Sequence, residues 1–234
     1  MLWYKGWLET RWRLLMWLVF MAIFLVFFYF VGSKPPTGPV TPLVGFIQFS
    51  IPSAMVMISA FLAGAGITTQ TGLQAAKGLH GSIIFTLSLP VSRFRLLAVR
   101  AGVGWLEMAC GIGALCCGMW VVFPALRGTV TPVEMLEYAG TVVACTSALY
   151  SIGVVLATFL DDQWRIWGTM IGSVALWSLP NVTPLPAFVN IFRAMGEGSP
   201  LLAHTIPWAA LAFSLGLAAI LFLAALKVVQ TREF

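Results

Sequence analysis

The chain has 234 residues, of which 60% are hydrophobic and only 9% charged, with 13 Lys and Arg against 8 Asp and Glu. A soluble domain carries roughly 25% charged residues, so this composition, with a mean hydropathy of +0.95, excludes a soluble globular domain, a disordered chain and a nucleic-acid binder free in solution. The net charge of +5 therefore points to membrane topology, with cations held on the cytoplasmic side.

The expected fold class is all-α: a polytopic membrane protein of about six transmembrane helices in a single domain covering 1–234, with both termini cytoplasmic. A span needs about 20 mostly apolar residues. Residues 1–13 come first. Trp3 and Trp7 fall on one helical face with Leu14, and Lys5, Glu9 and Arg13 on another. This is the pattern of an interfacial amphipathic helix. The uncharged stretch 14–33 is the first span, too long for the h-region of a cleaved signal peptide. Lys34-Pro35-Pro36 ends it.

Prolines 35, 36, 39 and 42 mark an outer loop, and the second span is expected over 43–69, with a kink at Pro52 tolerated by neighbouring helices. Residues 70–95 are polar and form the longest cytoplasmic loop. The third and fourth spans are expected at 96–123 and 138–160. Pro124, Arg127, Pro132, Glu134 and Glu137 make an outer loop between them. Asp161 to Arg165 reads as a tight cytoplasmic turn. The fifth span, 166–179, is short because Pro180 follows. Residues 181–204 are an outer loop or re-entrant element, with a short helix expected within 187–195. The sixth span is 205–226.

In this topology ten of the 13 cations lie inside: Lys5, Arg11, Arg13, Lys77, Arg93, Arg95, Arg100, Arg165, Lys227 and Arg232. Lys34, Arg127 and Arg193 lie outside. That asymmetry obeys the positive-inside rule.

Few residues carry chemistry. The sequence has no Walker-type glycine loop and no GxSxG. His80 and His204 fall on opposite expected sides, which disfavours a shared metal site. Cys110, Cys116, Cys117 and Cys145 all fall in expected spans without a CxxC pair and read as buried small hydrophobes. Glu107 is the one acid inside an expected span. Such a charge costs about 2.5–3.5 kcal/mol at the bilayer centre. It lies seven residues, about 10 Å, beyond Arg100. It is either an interfacial carboxylate paired with a cation or a polar group lining a pathway. Gly168 and Gly172 form a GxxxG that suits close helix packing within the chain or between two copies.

Residues 81–100 read GSIIFTLSLPVSRFRLLAVR. Gly81-Ser82, Leu89-Pro90-Val91-Ser92-Arg93 and the basic Arg100 ten positions after the Pro resemble the cytoplasmic signature of ABC-2 type transporter permeases. The ending Thr231-Arg232-Glu233-Phe234 is similar to that family's Arg-acidic-aromatic tail. Gly78, Leu79 and His80 stand where family members often carry an acid.

The resemblance implies a coupling helix within 70–90, with Lys77, Gly81, Pro90, Ser92, Arg93 and Arg100 in the ATPase-coupling segment. It implies an ABC-type ATPase subunit as partner, with ATP and Mg bound there and no cofactor on this chain. It also implies a second permease copy or homologue forming a dimer, in contact with membrane lipids and with no nucleic acid, in the plasma or inner membrane. The local chemistry is compatible. Pro90 disfavours helical geometry at Leu89, Ser92 suits the N-cap of a helix beginning near Arg93, and the arginines suit anionic headgroups. The implied function is export of a hydrophobic or amphipathic substrate, a lipid, peptide or drug. A non-transporting binding or immunity protein and a membrane-embedded enzyme are the alternatives.

Overall fold

A computed structural model describes residues 2–32, 46–63, 92–160, 162–183 and 185–231. Among these residues there are helices and turns and no strand. The helices are α1 (Leu2–Gly32), α2 (Ile51–Leu62), α3 (Arg93–Val122), α4 (Pro124–Thr129), α5 (Pro132–Leu156), α6 (Asp162–Val182), α7 (Ile191–Met195), α8 (Pro200–Ala203) and α9 (Trp208–Thr231). A π-helical turn, Phe46–Ser50, leads directly into α2.

Four helices are long and apolar enough to cross a membrane: Thr10–Phe27 within α1, Leu97–Val122 within α3, and α5 and α9 in full. Helix α2 is apolar but has only 12 residues. Helix α6 has 21 residues, about 31 Å, but is not among the four apolar ones.

The side-chain register fixes how the helices run. Trp3 lies against Gly102, Thr10 against Glu107, Trp17 against Gly111 and Leu25 against Gly118, so α1 and α3 are parallel. Trp17 Nε1 donates to the Ala54 carbonyl at 3.4 Å and Arg13 to the Phe61 carbonyl at 3.1 Å, so α2 runs the opposite way. Trp105 donates to Ser147 at 2.8 Å and Tyr150 to the Ala101 carbonyl at 2.8 Å, which makes α5 antiparallel to α3. Gly168 faces Leu156 and Gly172 faces Ile152, so α6 returns antiparallel to α5. Arg11, Arg13, Arg95, Arg100 and Arg165 thus share one end of the bundle, the cationic end.

Helix α5 is the central element. It packs on α2, α3, α6, α7, α8 and α9, and Tyr138, Val142, Cys145, Leu149 and Val154 are buried in it. Its hydroxyls turn inward as well. Thr141, Thr146 and Ser147 donate to carbonyls four residues back, at 2.9, 2.6 and 2.8 Å, the economical way to bury a hydroxyl in a helix.

Several boundaries differ from the sequence reading, each for a local reason. No break separates an interfacial helix at 1–13 from the span at 14–33; α1 is one helix of 31 residues. Its buried stripe, Thr10, Leu14, Trp17, Met21 and Leu25, keeps helical spacing straight through that boundary. Pro52 follows directly on the π-helical turn, with Ser50 itself in αR geometry, so the helical path runs through the proline, and the irregular turn stands where the sequence places its kink. Pro132, Glu134 and Glu137 are not loop residues but the start of α5. Thr131 accepts from Glu134 N at 3.2 Å, and Glu134 accepts from Thr131 N at 2.7 Å, a capping box.

Helix α6 starts within the expected tight turn, at Asp162, and runs past Leu179 to Val182 with Pro180 inside it. Its last carbonyls are taken by side chains: Asn181 donates to Trp177 O at 2.8 Å and Thr183 to Leu179 O at 2.5 Å. Residues 185–204 hold a 3-10 turn (Ala187–Val189), α7 and α8 in place of one short helix. Of the expected loop 70–95, residues 70–91 lie outside the described residues, and Arg93 to Arg95 already belong to α3.

Two glycine positions test this packing. A Cβ at Gly153 would stand 2.5 Å from Ala63 Cβ and 3.0 Å from Thr169 Oγ1, whereas one at Gly140 would meet nothing within 4 Å. Gly153→Val should destabilise the bundle by about 1–3 kcal/mol more than Gly140→Val. Both sites lie in α5 and share the same helix-propensity change, so thermal denaturation in detergent isolates the overpacking.

Candidate functional site

Of the seven residues singled out by sequence, Lys77, Gly81 and Pro90 lie outside the described residues. Ser92 is the N-cap of α3: its backbone is extended and its Oγ accepts from Arg95 N at 3.3 Å. Arg93 is the first residue of that helix. Arg100 and Glu107 follow on the same helix and are 7% and 4% exposed. Seven residues advance a helix by two turns less about 20°, so both side chains fall on one stripe facing the bundle.

Glu107 is held by the neighbouring helix. Its Oε1 accepts from the Thr10 hydroxyl of α1 at 2.5 Å. Its Oε2 is buried without a hydrogen-bond partner. The carboxylate thus ties α1 to α3 at a level where both helices run in parallel.

A second tie crosses nearby. Arg13 donates to the Phe61 carbonyl in the last turn of α2, where carbonyls have no intrahelical donor and the helix dipole favours a cation. Sequence alone assigns Arg13 to lipid phosphate.

The glycine between Arg100 and Glu107 permits the third contact. A Cβ at Gly104 would collide with the Tyr150 hydroxyl and stand 3.2 Å from the Leu62 carbonyl. Without it, Tyr150 of α5 lies over the α3 backbone and donates to Ala101 O. Arg165 is fully buried, a correction to its expected place in a cytoplasmic turn. The first turn of α6 points it into the bundle, where Thr169 bonds back to its carbonyl at 2.8 Å.

The result is a buried polar seam at the cationic end, built from Thr10, Arg100, Glu107, Tyr150 and Arg165 on four helices. Sequence reasoning reached Arg100 and Glu107 but missed the other three. Thr10 was detectable as the first member of the buried α1 stripe. Tyr150 and Arg165 carry no local signal, because their partners are distant in the chain.

Among the described residues no three of His, Cys, Asp and Glu gather closely enough to hold a metal ion. Cys116 and Cys145 are buried within the bundle, and Cys110 and Cys117 lie on the outer surface of α3. The GxxxG of α6 packs within the chain: Cβ atoms at Gly168 and Gly172 would meet Leu156 at 2.9 Å and Ile152 at 3.2 Å. No family model, curated protein or solved structure matches the chain.

The Thr10–Glu107 tie is testable by a double-mutant cycle. Thr10→Val and Glu107→Met should each destabilise the protein, and the pair should show a coupling energy of about 0.6 kcal/mol, the average for interhelical hydrogen bonds in membranes, and at most about 1.7 kcal/mol. Thermal denaturation of the four proteins in one detergent supplies the cycle; additive effects would mean that the bond contributes nothing to holding α1 on α3.

Proposed function

We propose that the chain is the transmembrane permease subunit of an ATP-driven exporter of ABC-2 type, moving a hydrophobic or amphipathic substrate out of the cytoplasm or inner leaflet. In this reading α2 with its π turn and α6 supply the two crossings beyond the four long apolar helices. The cationic end faces the cytoplasm, and Arg127 and Arg193 face outward. Both termini are cytoplasmic, and the membrane is the plasma or inner membrane. ATP and Mg bind a separate ATPase subunit, and two permease chains pair around the route.

The observation that carries the reading is the junction at Ser92. The Leu-Pro-Val-Ser-Arg signature ends where a capped helix of 30 residues begins. That helix is about 45 Å long, against about 30 Å of hydrocarbon, so its first turns stand clear of the apolar layer, within reach of a soluble partner. A push on the preceding loop enters α3 at its N-cap. From α3 it passes to α1 through Glu107–Thr10 and to α5 through Ala101–Tyr150. ATP on the partner supplies the differential affinity that any such two-state shift requires.

Arg93→Glu or Pro90→Ala should leave membrane insertion intact and reduce both transport and the stimulation of the partner's ATPase by about tenfold, or 1.4 kcal/mol of coupling. The measurement is ATP turnover by the co-expressed pair in proteoliposomes. Unchanged turnover in both variants would remove the coupling role. A chain that always purifies without an ATP-binding protein carrying a glycine phosphate loop would favour the binding or immunity reading instead.

A further inference from the structure

A cleft of about 710 Å³ opens between α2 and α6 at the end opposite the cationic one. Its volume lies within the range of ligand sites. Its lining is graded along the bundle axis. Val56 and Met57 of α2 and Met170 and Val174 of α6 form the inner walls. Trp177 stands further out and is half exposed. At the rim lie Asn181 and Asn190 with Arg193 and Glu197.

The rim is organised by the chain itself. Asn190 donates to Asn181 Oδ1 at 3.4 Å and accepts from Arg193 N at 3.0 Å. These bonds join the end of α6 to the start of α7. Arg193 of α7 and Glu197, just past its C-cap Gly196, then stand 3.7 Å from each other, with side chains 60% and 65% exposed. An ion pair that exposed contributes little, so each charge is free to exchange its partner for a group on a ligand. From Met170 to Asn181 the cleft follows α6 for about 16 Å, close to half the roughly 30 Å hydrocarbon thickness.

We infer that this cleft binds one zwitterionic phospholipid of the leaflet at the α7 end, its phosphate on Arg193, its ammonium on Glu197 and an acyl chain along Met57, Met170 and Val174. Charge complementarity selects this occupant. A cation and an anion 3.7 Å apart match a headgroup that carries both signs, and Arg pairs readily with phosphate. An indole at that level suits the headgroup boundary, and methionine walls adapt to an alkyl chain. The inference rests on the membrane reading of the chain and not on transport or an ATPase, so either can fail alone.

The test uses the purified full chain in phosphatidylglycerol vesicles doped with phosphatidylethanolamine carrying a photoactivatable diazirine on its acyl chain. Labelled peptides are mapped by mass spectrometry. Labels should concentrate on residues 52–57 and 170–177. Excess unlabelled phosphatidylethanolamine should compete them away, but further phosphatidylglycerol or water-soluble phosphoethanolamine should not. Glu197→Lys and Val174→Trp should each reduce labelling about tenfold. Val133→Trp, at an exposed position away from the cleft, should leave it unchanged.

Should Val174→Trp fail to fold, Glu197→Lys and the competition profile still decide. Labels spread evenly over the exposed faces of α1 and α9, insensitive to phosphatidylethanolamine, would overturn the site. Equal competition by phosphatidylglycerol would overturn the zwitterionic headgroup.

Discussion

The close approach of three helices at Gly153 sets the arrangement of the rest. Ala63 at the end of α2 and Thr169 of α6 both press on the bare backbone of α5 there. Helices carrying larger side chains at such a crossing stand 8–10 Å apart, and small residues let them come closer where lipid provides no hydrophobic drive. With α2 and α6 drawn onto α5 at the cationic end, Gly168 and Gly172 continue the seam along α6. The other neighbours, α3 and α9 along its length and the short α7 and α8, then take the remaining faces of α5. This explains why α5, though apolar, is mostly buried by protein from Thr141 onward.

Burial of charge at that same end follows from the same geometry. The first turn of α6 lies against α5, so a side chain directed inward at position 165 has nowhere to go but the bundle. Arg100 and Glu107 descend the facing stripe of α3. A buried charge is tolerated only when opposite charges and hydrogen bonds surround it. The seam meets that condition in part: Glu107 Oε1 accepts from the Thr10 hydroxyl and Tyr150 donates to the Ala101 carbonyl, while Glu107 Oε2 is left without a hydrogen bond. Cations that a sequence assigns to the headgroup layer are therefore divided: Arg11 and Arg95 are exposed, whereas Arg100 and Arg165 are structural.

Hydropathy makes the helical class and the long spans legible, because the apolar runs exceed the bilayer thickness. The start of α3 is legible from Ser92 for a local reason, since an N-cap acts within three residues. Thr131-Pro132-Val133-Glu134 holds an equally local signal for the start of α5, yet the charge of Glu134 and Glu137 suggests a loop when weighed alone. The short α2 is harder. Its 27-residue uncharged window predicts one long span, and nothing in the window marks the π turn at 46–50 except a proline whose effect depends on where the helix begins. Arg13 and Arg165 mislead for a different reason. A cation beside a span is usually solvated, and only the partner helix, 48 residues away for the Arg13 bond, reveals that it caps a carbonyl or lies in the core.

Helix α2 connects the two ends. Its last turn receives Arg13 of α1 and touches α5 at Gly153, while its first turns, with Pro52 and Val56, form one wall of the cleft. It is short, about 18 Å for 12 residues. The π turn beneath it is the weaker element, because π geometry persists only as short local insertions. A displacement of α1 relative to α3 at the Thr10–Glu107 level therefore reaches α2 through Arg13 and the Ala54 carbonyl. The same helix forms the cleft wall through Pro52, Val56 and Met57, with the π turn directly before it. On the transport reading this makes α2 the lever between a partner at the cationic face and an amphiphile at the other.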